Sequence, residues 1–333
     1  HPVLTHPQFD PILLSLGPVA VRWYGLMYVL AFVAFIVLGK YRARRSPACG
    51  ITEEGVDDML LYGVLGVILG GRLGYVLFYK PDMIWRNFME VFQIWQGGMS
   101  FHGGLIGVAV AAWWFTRQTH VNEEQYAKLA AKHAVDKAPE GKEREYARFG
   151  EDKWILKTEA EAARVKAKTD KVDLLRLGDI AAAAAPIGLF FGRIANFING
   201  ELWGRPTDAP WGMIFCNERL LMQGGGACAA GMEPRHPSQL YEATLEGLAL
   251  FTIINFLTLR YDTLRRPGMN TGVFLVCYGL FRALLETVRE PDAHMPEALR
   301  GVITMGMLLS LPMIALGAWL IRRALKQPKL ASA

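Results

Sequence analysis

The sequence predicts an all-α fold: a polytopic membrane helix bundle of about seven transmembrane helices, with its N-terminus outside and its C-terminus in the cytoplasm. Two observations predict it. Apolar residues gather in seven runs, 18–39, 57–79, 101–116, 178–198, 237–258, 268–288 and 301–321, each close to the ~20 residues that cross a bilayer core. Lys and Arg alternate from loop to loop, as cytoplasmic retention of positive charge requires: twenty-five lie on one side of the seven runs and seven on the other.

The elements follow in order. Span 1 carries "VRWYGLMY" and is followed by "KYRARRSPACG", whose four basic residues mark the cytoplasm. Span 2 ends in "GGRLGYVLFY". Segment 83–96, "MIWRNFMEVFQIWQ", sets Ile84, Phe88, Val91 and Trp95 at helical spacing among polar residues, which fits a helix lying in the interface or one packed on a surface. Span 3 opens from outside with "GGMSFHGGLIG". Residues 118–177 are rich in Lys, Glu and Ala with "APEG" as a break, predicting a cytoplasmic hairpin of two solvated helices. Span 4 closes in "GRIANFINGELWGRP". The outer loop 199–236 carries Cys216 and Cys228, where a disulfide and two free thiols both fit. Spans 5 to 7 complete the bundle. The chain thus divides into a membrane half at 1–117, the charged insertion 118–177 and a second membrane half at 178–333. No basic n-region or small-residue cleavage site precedes the first span, so no cleavable signal peptide is expected. The net charge of +5 reflects this topology and implies no nucleic-acid partner.

Four arginines, Arg22, Arg72, Arg193 and Arg282, fall inside the predicted spans. Each is costly there, by about 3 to more than 10 kcal/mol. Arg72, Arg193 and Arg282 fall in the outer half of the bilayer at ~1.5 Å rise per residue. With Arg22 and His102 at outer mouths, polar groups from five spans are expected in one leaflet.

Within "GRIANFING", Arg193 and Asn196 share a helix face, and Asn199 and Glu201 follow where Gly200 lets the chain turn. A polar plug at a helix end would use the same groups, but an arginine this deep favours an anion site, since its planar fork matches phosphate oxygens. Arg282 and Glu286 stand at i, i+4 in "YGLFRALLE", the spacing of a buried ion pair that would also hold the arginine for a ligand. "RHPSQLYEATLEG" brings Arg235, His236, Gln239, Tyr241, Glu242 and Glu246 to the mouth of span 5, where some must be partners of the arginines. His102 lies among glycines that admit another molecule, and an unperturbed imidazole pKa of about 6.5 suits proton abstraction. Tyr24 is a second outer-mouth candidate, or a member of the interfacial aromatic belt. No Cys-His spacing suggests a metal.

These motifs, together with "RHPSQLYE" and "YGLFR…E…REPDA", occur in an order that resembles the bacterial prolipoprotein diacylglyceryl transferase family. The resemblance covers nearly all of both membrane halves and departs from it at residues ~120–172, where similar proteins have a short loop. It implies transfer of the diacylglyceryl group of phosphatidylglycerol to the lipobox cysteine of a preprolipoprotein, with release of glycerol 1-phosphate. It implies roles for Tyr24, His102, Arg193, Asn196, Glu201, Gly204, Arg282 and Glu286, with Asn199, Arg72 and Tyr241 as further binding candidates, and no cofactor. Phosphatidylglycerol, the preprolipoprotein signal peptide and membrane lipids are the implied partners, at a site facing the periplasmic leaflet of the inner membrane. A secondary transporter or a binding protein for an anionic lipid or solute is the rival reading. It would need a path to the cytoplasm, whereas the charged groups gather in one leaflet.

Overall fold

The computed structural model describes residues 4–10, 12–16, 19–46, 50–93, 98–117, 123–150, 153–167, 173–290 and 305–330. Strand β1, Leu4–Thr5, precedes the hairpin of β2, Ile12–Leu16, and β3, Val19–Arg22. Helix α1, Trp23–Arg45, begins only there. Span 1 therefore starts five residues later than expected, and Arg22 is an exposed strand residue that precedes the helix rather than one inside it. The β-branched alternation of "VAV" favours the strand over the helix. Helix α2, Glu53–Tyr79, opens on Thr52, whose hydroxyl accepts from the Gly55 N–H.

The expected single helix at 83–96 is instead α3, Met83–Arg86, and a separate 3₁₀ turn at Phe88–Phe92, with Asn87 between them in a non-helical conformation. Its last residues, Trp95 included, lie outside the described residues. Helix α4, Phe101–Phe115, is capped by Ser100. The charged insertion contains α5, Glu123–Ala131, and α6, Lys157–Lys166, but between them runs an antiparallel hairpin of β4, Tyr146–Phe149, and β5, Lys153–Leu156. Tyr126, Ala130, Phe149, Ile155 and Ala163 form a small core under it, which two isolated helices of this polarity would lack.

Helix α7, Leu174–Asn199, is followed by β6, Met213–Ile214, paired in parallel with β1, and by α8, Glu218–Gln223. Span 5 is a continuous rod: α9, Ser238–Glu242, a π-helical stretch at Ala243–Ala249, and α10, Leu250–Tyr261. Helices α11, Met269–Leu285, and α12, Met305–Lys326, close the chain; residues 301–304 of the expected span 7 lie outside the described residues.

Among the described residues, five helices are long and apolar enough to cross a membrane, and two shorter apolar ones, Gly103–Phe115 and Met269–Leu285, coincide with the expected spans 3 and 6. This is a multi-pass, predominantly helical membrane protein. Leu61, Leu65, Leu69, Leu73 and Leu77 of α2 are exposed, as side chains facing lipid would be.

Two compact units divide the chain: 1–39 with 178–332, and 40–177. In the second, α2 and α4 pack backbone to backbone: a Cβ at Gly70 would stand 2.7 Å from Gly107 Cα, and one at Gly74 2.7 Å from Gly103 Cα. Where lipid is as apolar as leucine, such small-residue seams are what hold helices together. In the first, Gly272 and Gly317 do the same for α11 and α12. Buried Asp179 of α7 accepts from Gly268 N (2.7 Å), Thr271 N (2.8 Å) and Thr271 Oγ1 (2.9 Å), capping the N-terminus of α11 from a neighbouring helix.

Candidate active site

The arginines expected at one depth in spans 4 and 6 meet in the first unit. The Arg193 side chain comes from α7, Glu242 from the last residue of α9, Glu246 from the π-helical stretch, and Arg282 from α11. Glu286 and Arg289 follow in the turns after α11. Glu242 is the hub. Its Oε2 lies 2.9 Å from Arg193 Nη2, 2.7 Å from Arg289 Nη1 and 3.6 Å from Arg282 Nη1. Glu246 stands 3.9 Å from both Arg193 and Arg282. The anticipated Arg282–Glu286 pair forms at 2.9 Å, with Arg289 Nε 3.5 Å from the same carboxylate.

Glu242 and Glu246 are fully buried, whereas the three arginine side chains are 16–19 % exposed. The carboxylates thus form the floor and the guanidinium groups the open face. Three cations against three carboxylates leave no formal net charge. Among the described residues Arg193 engages only Nη2, and Arg282 leaves Nε without a partner, so N–H groups rather than excess charge would be what an anion meets here. π-Helical turns inside α-helices recur at functional sites, and this one carries Glu246 while Gly247 lets the rod approach Phe190 of α7.

The stretch after Arg193 folds as a tight turn. Gly200 takes φ +72° and Leu202 φ +58°, and the Gly200 and Glu201 N–H groups return to Phe197 O and Asn196 O. The Asn196 and Asn199 amides both donate to Glu201 Oε1, at 2.9 and 3.1 Å, so these three form one network. Gln239 Nε2 donates to Glu201 O at 2.6 Å and fixes the turn against α9. Gly204 is a packing requirement: its N–H donates to His236 O, and a Cβ there would meet Val288 O and stand 2.8 Å from His236 Cβ. Tyr241 Oη accepts from Trp211 Nε1 at 2.7 Å and lies 3.2 Å from His236 Nδ1; burial pushes the His236 imidazole below its ordinary pKa. Arg235, near the end of the loop between α7 and α9, pairs with Glu233 of the same loop and with Glu290 after α11.

Arg72 belongs to the second unit. Its guanidinium donates to Val91 O (2.9 Å), Glu90 O (2.7 Å) and Gly98 O (3.1 Å). It holds the segment after span 2, beside a polar cavity of ≈ 330 Å³ also lined by Tyr75, Lys80 and Arg86. A binding role expected for Arg72 thus competes with a structural one. Tyr24 stands in the first turn of α1 and His102 in the first turn of α4; their side chains lie outside the described residues.

Arg289 was not singled out by sequence reasoning, although it follows Glu286 by three residues, a spacing that pairs charges on a helical turn. Glu242 and Glu246 were candidates without an assigned arginine. Cys216 and Cys228 form a disulfide.

A profile of the family described as prolipoprotein diacylglyceryl transferase matches residues 11–135 and 159–323. The phosphatidylglycerol–prolipoprotein diacylglyceryl transferase of Phenylobacterium zucineum is 44 % identical over 98 % of this chain and 98 % of its own. Those of Solidesulfovibrio magneticus, 44 % identical over 96 % and 97 %, and Nitrosomonas europaea, 45 % identical over 96 % and 91 %, are similar. The departure from the family profile narrows to 136–158, the region of the β4–β5 hairpin, and the first alignment runs through it. The chain belongs to the prolipoprotein diacylglyceryl transferase family.

Proposed function

We propose that this chain transfers the diacylglyceryl group of phosphatidylglycerol to the lipobox cysteine thiol of preprolipoproteins, at the periplasmic leaflet of the bacterial inner membrane. The carbon–oxygen bond between the diacylglyceryl group and the phosphate breaks. The thiol sulfur forms a thioether at that carbon, glycerol 1-phosphate leaves with the bonding electron pair, and the thiol proton passes to a base. Among the observations of geometry, one carries the reading: three guanidinium groups share a buried carboxylate floor, and among the described residues two of them, Arg193 and Arg282, keep unengaged N–H groups. Charge grows on the leaving phosphate as the bond breaks. Donors already held in place act strongly there, because a water-excluded site needs no reorganisation at that moment.

Arg193 and Arg282 clamp the phosphate, while Glu242, Glu246 and Glu286 hold their forks. The Asn196 and Asn199 amides are turned inward on Glu201, which leaves their carbonyl oxygens as acceptors for glycerol hydroxyls. His102 is the proposed acceptor of the thiol proton and Tyr24 its alternative; Arg72 and Tyr241 are further proposed substrate-binding residues. A thiol of pKa about 8.5 is mostly protonated at neutrality and needs such help. The test is incubation of the detergent-purified protein with radiolabelled phosphatidylglycerol and a lipobox peptide. Transfer of label to the peptide cysteine, with glycerol 1-phosphate released, is expected. Lipid binding without transfer would support a binding protein instead.

A further inference from the structure

The C-terminal end of α7 is held by two side chains from outside its own helix. A helix leaves its last carbonyls without intrahelical partners. Here His6 Nε2 meets Phe197 O at 2.6 Å, and Arg219 Nη2 donates to Ile198 O (3.2 Å) and Asn199 O (3.1 Å). Both residues are delivered by deliberate scaffolding. β1 pairs with β6, and His6 N donates to Ile214 O, which locks the N-terminal segment beneath the helix end. The Cys216–Cys228 disulfide brackets α8, whose N-cap Asn217 and second residue Arg219 face His6 and α7. The His6 ring is 2 % exposed and packs among Phe9, Phe197 and Phe215.

We propose that His6 and Arg219 are positioning residues of the head-group site, holding the last turn of α7, and with it Asn196, Asn199 and Glu201, in the shape that receives the lipid. This rests on the head-group reading of that turn.

The chemistry of the ring makes the hold dependent on pH. A nitrogen facing a carbonyl oxygen must donate, so Nε2 carries the proton, and Nδ1 accepts from the Asn217 amide at 3.2 Å. A second proton would turn Nδ1 into a donor against the Asn217 NH₂ and add a cation near Arg219, whose positive charge is felt by the ring. Burial is the main force holding the imidazole below its ordinary 6.5; the bond to Phe197 O works against it and Arg219 with it. A histidine depressed in the folded state contributes stability in full above its unfolded value, lost as pH falls through the folded one. The hold therefore weakens on acidification below about 6.5.

The experiment compares His6→Ala, His6→Gln, Arg219→Ala and Arg193→Lys in the full chain, well below each variant's melting temperature. His6→Ala and Arg219→Ala should raise the KM for phosphatidylglycerol by about three- to tenfold, the size of one or two lost hydrogen bonds, with a smaller change in kcat. His6→Gln should recover most of the loss, because its amide can still donate to Phe197 O. A purely structural role would lower the melting temperature and leave KM alone. Amide exchange of the unmodified chain gives a second readout, independent of whether a variant folds. Protection across 196–202 should fall as the pH is lowered below about 6.5, and stay level in His6→Gln. Unchanged KM values together with pH-independent protection would overturn the proposal. If Arg193→Lys were equally silent, the head-group reading itself would fall, whereas an impaired Arg193→Lys beside silent His6 and Arg219 variants would remove only the hold.

Discussion

An arginine is not replaced by any cation of similar charge when two of its N–H groups are needed at once. Arg193 gives Nη2 to Glu242 and, among the described residues, leaves the rest of its fork open. Arg193→Lys keeps the charge and loses the fork, and should lower kcat/KM by about 10-fold or more, read from initial rates with phosphatidylglycerol. Glu242→Ala should be worse for the fold: it removes the one carboxylate that all three arginines share, and breaking such a buried pair costs about 3–5 kcal/mol. Thermal melting in detergent would register it, and a melting temperature equal to that of the unmodified protein would contradict the hub assignment. His102→Gln cannot serve as a comparable base and should slow turnover by about 10²–10⁴. Raising the pH toward the thiol's own pKa should recover part of that loss, since the nucleophile then ionises unaided. A pH–rate profile parallel to the unmodified enzyme, at undiminished rate, would move the role to Tyr24 or His236. The Arg282–Glu286 pair was legible because i, i+4 spacing alone brings the two together. The hub role of Glu242 was not, because its three partners come from α7, α11 and the turn after α11, and only tertiary packing selects among neighbouring carboxylates.

At the scale of elements, the long apolar runs were read well because each must satisfy its backbone internally, which leaves the helix as the one local solution. The errors fall where that constraint lapses. At Arg22 the chain is still a strand, and at Asn87 a helical period is interrupted by a residue that competes for its own backbone. In the insertion, the stretch from Tyr146 to Leu156 carries Tyr, Phe, Trp and Ile close together, and it pairs as a hairpin over a small core that composition alone concealed. The glycines beside His102 were read as admitting another molecule, whereas Gly103 and Gly107 of α4 pack on Gly66, Gly70 and Gly74 of α2. Gly70→Leu should separate the pair, because its Cβ alone would stand 2.7 Å from Gly107 Cα. The expected result is loss of folded yield in detergent, with a tolerant site ruling out the seam. The insertion has its own core, so replacing 122–172 by a short linker should leave transfer to a lipobox peptide intact in vitro. Loss of activity in a folded deletion would show that this element serves the membrane core.

The whole molecule adds a constraint that no single element supplies: every loop must lie on a definite side. The alternation of twenty-five against seven basic residues argues for the N-terminus outside, although the insertion supplies over half of the excess and long loops weigh less in such counts. The Cys216–Cys228 disulfide is independent of that tally. Disulfides persist in oxidising compartments and are rare in the cytosol, and this one lies in the loop between α7 and α9 that charge alone assigns to the outside. The same loop begins beside the arginine cluster, since Gly204 and Arg289 pair as a β-bridge. Charge and thiol chemistry thus both predict a site that opens to the outside. The prediction is tested in intact cells with a membrane-impermeant thiol reagent, after Cys49 and Cys277 are replaced and the disulfide is kept. Single cysteines placed at 40–46 and 130–165 should resist labelling until the cells are permeabilised. One placed at 206–212 should label at once. Immediate labelling of the first two regions and protection of the third would reverse the orientation, and would carry the arginine cluster to the leaflet where no secreted lipobox thiol arrives.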